Sequence, residues 1–229
     1  MRFPPLLVLL LTIVAVRSNV PVSVPAFPSS FSATITITSN LLPADIVYPP
    51  RVKVVQLLYS MELLKAKLVV EQGSMGRKTY LRDYGGEMDY EISSSSSDRQ
   101  TCRRAFLGEE MTPPTLPKSI HIGETQISDT TGTTNTYSHF VRSTDYSNIH
   151  IYSNPSNGYP RRLVVEDIDD EGVTEVSMTY DIENLEELSN VPKIDWSLGG
   201  EHTEGIEGSC ERFVGGFPYM HLFHYYLKV

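Results

Sequence analysis

The chain has few cysteines and few basic residues, and its long hydrophobic runs are confined to one place. Two cysteines occur in 229 residues, and 19 Lys and Arg are set against 28 Asp and Glu, for a formal net charge of −9. Nucleic acids and anionic membrane surfaces attract clustered basic side chains, so this balance argues against both as partners. Outside the N-terminal segment, no stretch approaches the roughly 18 apolar residues of a transmembrane helix.

The sequence also lacks the motifs that mark common enzymes. It contains no G-x-S-x-G, no H-E-x-x-H, no P-loop and no G-x-G-x-x-G. N-x-S/T with a permitted middle residue is missing as well, so we do not expect N-glycosylation. We therefore expect a protein that is not an enzyme and that needs no cofactor.

The N-terminus has the three parts of a secretory signal peptide. Met1-Arg2 supplies a positive start, Leu6 to Val16 is an almost wholly apolar run, and small or tolerated residues permit a cut after Ser18. The run is too short to span a bilayer. We therefore expect residues 1–18 to be a signal peptide and the mature protein to be secreted. Loss of Arg2 and Arg17 would take the net charge from −9 to −11.

Residues 19–229 have the length of one domain, and their pattern is that of strand after strand. In residues 31–38, apolar side chains alternate strictly with Ser and Thr, which is typical of a half-buried antiparallel strand. Short strands separated by turn signals recur at 52–70 (a hairpin), 78–82, 88–92, 137–142, 148–153, 161–166, 175–182 and 219–228. We predict a mainly β domain, a single antiparallel sheet or open half-barrel with a few short helices.

Two segments leave the secondary structure open. The tract 52–70 also satisfies helical spacing, although we favour a hairpin that turns near Ser60. Residues 183–205 are mostly irregular in pattern and have room for one short helix.

The sequence around Cys210 raises the question of a catalytic thiol, because Gly-Ser-Cys occurs around the nucleophile of papain-like proteases. Glu207 and Glu211 stand where such a site has a cysteine and an aromatic residue. Acidic neighbours also raise the pKa of a thiol, whereas a nucleophile needs it lowered. In an oxidising compartment an isolated pair of cysteines most often forms a disulfide, so we predict a bond between Cys102 and Cys210.

Two histidines, His221 and His224, look like a metal-binding pair. Residues three apart in a strand point to opposite faces, because the side-chain period is two. The closing segment has the composition of a strand, so we do not expect the two imidazoles to share an ion.

A second candidate for a metal site is the acidic stretch that begins at Asp167. Asp167, Asp169 and Glu171 followed by Gly172 imitate the first half of an EF-hand loop. Position twelve of that loop is Met178 where a bidentate Glu is required. We expect a solvated hairpin turn there, with weak calcium association as the only metal chemistry.

Four segments, taken in order, resemble the LolA-like N-terminal region of secreted eukaryotic proteins related to counting-factor-associated protein D. They are 27–38 (FPSSFSATITIT), 76–108 from GRKTYLR to CRRAFLG, 149–182 from IHIYSNPSNGYPRR to MTYDI, and 210–224 (CERFVGGFPYMHLFH). In those relatives a papain-like peptidase can follow this region. These residues hold no counterpart of it, so its activity is not carried over.

The resemblance implies a strongly curved antiparallel sheet, or half-barrel, around an apolar concavity. In bacterial carriers of this shape the concavity holds acyl chains, so a lipid or other apolar small molecule is the implied partner. We expect such a ligand to contact Phe31, Ile35, Leu81, Ile151 and Leu163. The alternative is an acidic extracellular structural protein that associates with cations, mineral or matrix proteins.

Overall fold

A computed structural model describes residues 22–42, 51–71, 77–94, 100–111, 116–128, 132–196, 210–215 and 217. The expected signal peptide, the expected closing strand at 219–228 and the pair His221 and His224 lie outside these residues and stay predictions. Within the described residues, no helix is both long enough and apolar enough to cross a membrane.

The expected fold class is confirmed, because the described strands form one large, mainly antiparallel sheet that is not closed. Its strands are β1 Ser30–Ser39, β2 Val52–Ser60, β3 Lys65–Glu71, β4 Arg77–Asp83, β5 Met88–Ser94, β6 Gln100–Phe106, β7 Ile120–Ser128, β8 Thr134–Ser143, β9 Ser147–Ser153, β10 Pro160–Ile168, β11 Thr174–Glu187 and β12 Glu211–Arg212. Their order across the sheet is β12-β6-β5-β4-β3-β2-β1-β11-β10-β9-β8-β7.

The sheet consists of two meanders that meet at β1. Strands β1 to β6 follow one another through antiparallel pairs, and so do β7 to β11. The alternation in β1 places Ile35 between Val55 of β2 and Ile182 of β11, all three of them buried. This strand therefore joins the two halves of the molecule through its apolar face. The short β12 adds to β6 in parallel at the edge.

The first of the segments that the sequence left open is a hairpin, and the second begins with the end of a strand. Residues 52–70 form the hairpin of β2 and β3, with a turn over 61–64 in which Leu64 has a φ of 52°. Residues 183–187 belong to β11, and the only helix among the described residues is a 3-10 turn, Val191–Lys193. Strands β6 and β7 were not expected, because Arg103 and Arg104 interrupt the apolar pattern of the first and Gly123 that of the second.

The two faces of the sheet differ in what they bury. We call the face with the larger apolar cluster the inner face, and it receives residues from nine of the strands and from Phe27 and Phe217 in the flanking segments. The opposite, outer face has a small cluster of Leu81 and Ile92, with Trp196 packed against it. A single sheet buries one face this fully when it curves around that face and flanking segments cover the remainder.

Candidate functional site

The disulfide predicted from the sequence is confirmed: Cys102 and Cys210 are bonded, with their Cα atoms 4.7 Å apart. Bonded sulfur atoms are neither nucleophiles nor thiolate ligands, so Cys210 has a structural role. The bond holds β12 against β6 and brings the following residues over the sheet edge.

Two aromatic side chains after the disulfide fold onto the inner face. Phe217 is 1% exposed, and its ring centre lies 5.3 Å from that of Phe213 and 6.1 Å from that of Tyr80. The guanidinium of Arg103 lies over the Phe213 ring at 4.7 Å, within the range of a cation–π contact. The disulfide thus anchors an aromatic cover at one edge of the inner face.

Four of the five residues expected around an apolar ligand lie together on the inner face. Phe31, Ile35, Ile151 and Leu163 belong to one buried cluster. Leu81 is a correction, because it points to the outer face, where it packs with Ile92. Side chains alternate along a strand, and on β4 it is Tyr80 that takes the inner position. Whether the four residues contact a ligand stays a prediction.

The centre of the inner face is filled by side chains, and open space lies at one end of it. Phe31, Ile35 and Ile151 are each 0% exposed. At the end of β4, β5 and β6 a cavity of about 490 Å³ opens to solvent. This rim cavity is lined by Leu64, Tyr84, Glu87, Phe106, Leu107, Gly108, Glu109, Glu110 and Met111. Tyr84 and Met111 also pack against the inner cluster, so the rim cavity borders the core.

A buried charge cluster lies beside the rim cavity on the inner face. Arg82, whose side chain is 3% exposed, contacts Glu109 and places its Nε 3.4 Å from Oδ2 of Asp89. It also donates to the hydroxyl of Tyr84 at 3.5 Å. Two carboxylates thus face one cation. Burial raises the pKa of Asp89 to about 6, although Arg82 opposes that shift.

A second buried ion cluster lies on the inner face near the disulfide. The side chain of Glu91 is 4% exposed and accepts a hydrogen bond from Nε of Arg103 at 3.0 Å. Nζ of Lys78 lies 3.5 Å from its other oxygen. Two cations therefore compensate this carboxylate, which is the usual condition for burying a charge.

The acidic stretch at residues 167–171 forms a turn, as expected, and does not gather its carboxylates around one point. Oδ1 of Asp169 accepts the backbone N–H groups of Glu171 at 3.0 Å and Val173 at 2.8 Å, and so closes the turn between β10 and β11. Asp167 belongs to β10, opposite Glu175. In the part of the chain that the structure describes, no three His, Cys, Asp or Glu side chains are placed to hold a metal ion.

The outer face of β7 to β10 carries a polar arrangement that the sequence did not reveal. Nε2 of His139 lies 3.0 Å from Nδ1 of His150, and Nδ1 of His139 lies 3.4 Å from Oγ1 of Thr125. Nε2 of His150 is 3.1 Å from a carboxylate oxygen of Glu166. The signal in the sequence is weak, since each histidine is only the polar member of an alternating strand.

Comparison with known proteins adds a likeness but no family. No family model matches this chain, and no curated protein matches it. Among solved structures it is similar to an uncharacterized conserved protein from Thermus thermophilus, with 10% identity, a TM-score of 0.45, and coverage of 82% of this chain and 91% of that one. A likeness this distant carries no argument.

Proposed function

We propose that the protein is a secreted, non-enzymatic binder of a lipid or other apolar small molecule, which binds in the rim cavity. The observation that supports this proposal is the cavity of about 490 Å³, which is open to solvent and borders the apolar cluster. Ligand sites in proteins are usually concave, mostly apolar and roughly 300–1,000 Å³ in volume.

The apolar part of the ligand contacts the side chains that form the wall. Leu64 and Phe106 are 41% and 70% exposed, so both present apolar area that a ligand would remove from water. Each square ångström of apolar surface so covered contributes about 25 cal/mol to binding. Leu107 and Met111 complete the wall on the side of the inner cluster.

The polar end of the ligand meets negative charge. Glu87, Glu109 and Glu110 line the rim cavity, and none of its described lining residues is basic. Arg82 lies behind Glu109 but is engaged with that carboxylate and with Asp89. An anionic head group would therefore be repelled, whereas an alcohol or an amine fits the site.

The proposal is tested by fluorescence titration with N-phenyl-1-naphthylamine, a neutral apolar probe that brightens in dry pockets. We expect saturable binding, and displacement by hexadecanol and hexadecylamine at lower concentrations than by palmitate. Native mass spectrometry of protein purified from a secreting host would show whether a ligand is carried from the cell. Absence of saturable probe binding would refute the proposal.

Two variants locate the binding. Gly108→Trp should abolish probe binding, because the indole would occupy space in the cavity. The fold should tolerate a side chain at this position, since a Cβ at Gly108 would meet the Phe106 ring at 3.4 Å, an ordinary contact. Phe106→Ser should weaken binding severalfold by removing part of the wall. Its matched control is Ile120→Ser on the distant edge strand β7, where the side chain is similarly exposed at 74%. Equal effects of the two serine variants would argue against the rim cavity.

A further inference from the structure

The polar chain on the outer face follows from the register of four strands. His139 pairs across the sheet with Tyr152, and His150 pairs with Val164. The two histidines are therefore diagonal neighbours on one face, and so are His150 and Glu166. Tyr152 stacks on the His139 ring at 4.3 Å between centres, which holds that imidazole in place.

We infer that His139 and His150 form a two-histidine binding site for a divalent transition-metal ion such as Zn²⁺ or Cu²⁺. Their facing nitrogens, Nε2 of His139 and Nδ1 of His150, are 3.0 Å apart. Two nitrogens that bind Zn²⁺ at about 2.0–2.1 Å with tetrahedral geometry are about 3.3 Å apart. Metal binding therefore requires both rings to rotate until their lone pairs converge on an ion beside the line that joins the two nitrogens. The proton of the hydrogen bond between the rings leaves its nitrogen at the same time, as that ring takes its other tautomer.

The other nitrogen of each ring lies near a group that can accept its N–H. Such a histidine almost always donates its second N–H to a carboxylate, a carbonyl or a water, which fixes the tautomer and raises the basicity of the ligand. Glu166 lies 3.1 Å from Nε2 of His150, and Asn148 donates to the same carboxylate oxygen at 3.4 Å. Thr125 lies beside Nδ1 of His139.

One detail of this arrangement favours a small rotation of the His150 ring. Nε2 of His150 is buried, and despite its distance of 3.1 Å from Glu166 the angle between them does not make a hydrogen bond. The rotation that opens the gap between the two rings could align this N–H with the carboxylate as well. Metal binding would then satisfy a buried donor that otherwise has no hydrogen-bond partner.

The site is accessible from solvent. The side chains of His150 and Glu166 are 18% and 24% exposed, which leaves an open side for water to complete the coordination. Two imidazoles with open positions suit Zn²⁺ and Cu²⁺ better than the hard Ca²⁺.

The test is isothermal titration calorimetry of the mature chain with ZnCl₂ and, separately, with CuCl₂. We expect one ion per chain, an affinity loss of at least tenfold in His139→Gln and in His150→Gln, and a loss of about tenfold in Glu166→Gln, as for other partners of metal ligands. The controls are His121→Gln and the double variant His221→Gln/His224→Gln, which should bind as the wild type does.

An NMR measurement on the wild-type protein tests the site even if the variants fail to fold. In the wild-type protein, substoichiometric Cu²⁺ should broaden the imidazole NMR signals of His139 and His150 before those of the other histidines. No binding by the wild type, undiminished binding in the folded His139→Gln/His150→Gln double variant, or earlier broadening at another histidine would each overturn the inference.

Discussion

The two halves of this sheet differ in the side chains that their inner faces bury. In the half formed by β4, β5 and β6, the inner face buries Arg82, Asp89 and Glu91 among apolar neighbours. In the half formed by β8, β9 and β10, the inner face is built mainly from apolar side chains such as Phe140 and Ile151, and His139, His150 and Glu166 lie together on the outer face. The first half compensates its buried carboxylates with ion pairs, whereas the side chains of this outer-face group are partly exposed.

This difference separates the two proposed sites. The rim cavity lies where charge is buried next to open apolar space, which suits a molecule with an apolar body and a polar end. The histidine pair lies where the sheet offers partly exposed imidazole nitrogens, which suits an ion that arrives from solution. Substitutions at the rim cavity should therefore leave metal binding by the histidine pair unchanged, and substitutions of the histidines should leave ligand binding at the rim cavity unchanged.

The largest expected effect is that of removing the disulfide. It joins residues separated by 108 positions, and closing a loop of about 100 residues contributes about 4.7 kcal/mol in the chain-entropy model. We expect Cys102→Ser/Cys210→Ser to lose about 4–5 kcal/mol of unfolding free energy in urea titrations. Probe binding at the rim cavity should suffer more than metal binding by the histidine pair, since the bond lies in the first half. A loss below about 1 kcal/mol would contradict the role we give to the bond.

Next in size is the difference between a buried and an exposed ion pair. Arg82→Met leaves Asp89 buried without its cation, which costs about 3–5 kcal/mol. The matched change in the other half is Arg162→Met, whose pair with Asp181 is about one-third exposed, and it should cost about 0–1 kcal/mol. Urea denaturation of both variants measures the difference. If both variants lose a similar amount of unfolding free energy, burial does not make the Arg82 ion pair more important than that of Arg162.

A smaller effect should appear in the pH dependence of stability. The pKa of Asp89 is raised from 3.8 to about 6 in the folded protein, so between these values the native state binds more protons than the unfolded chain. The contribution of this group to stability is therefore present below about pH 4 and is lost as the pH rises through about 6. We expect the Asp89→Asn variant to lack this fall in stability with rising pH. Thermal unfolding of the wild type and the variant from pH 4 to pH 7 would measure the difference. If stability depends on pH in Asp89→Asn as it does in the wild type, the raised pKa of Asp89 is not its cause.

The smallest expected effect on stability is that of Phe106→Ser and Ile120→Ser. Both side chains are mostly exposed, so each change should alter the unfolding free energy by no more than about 0.5 kcal/mol. Only Phe106→Ser should weaken the N-phenyl-1-naphthylamine complex. A large loss of stability in Phe106→Ser would show that this ring supports the fold, and the binding result would then need another variant.

Predicting the candidate sites from the sequence was harder than predicting the fold. The strands appear in the sequence because alternation depends on neighbours two residues apart. Leu81 was misplaced because Tyr80 beside it is also apolar, so the local pattern did not say which of them faces inward. His139 and His150 are eleven residues apart with a turn between them, and only the register brings their rings together.

The sequence by itself determined the β class, the alternation in β1 and the pairing of Cys102 with Cys210, since these depend on local period and on there being two cysteines. Tertiary structure decided which face of each strand meets the core, where the rim cavity opens and which polar groups become neighbours. The physical reason is that a period of two makes residues share a face but leaves the choice of face to packing and register.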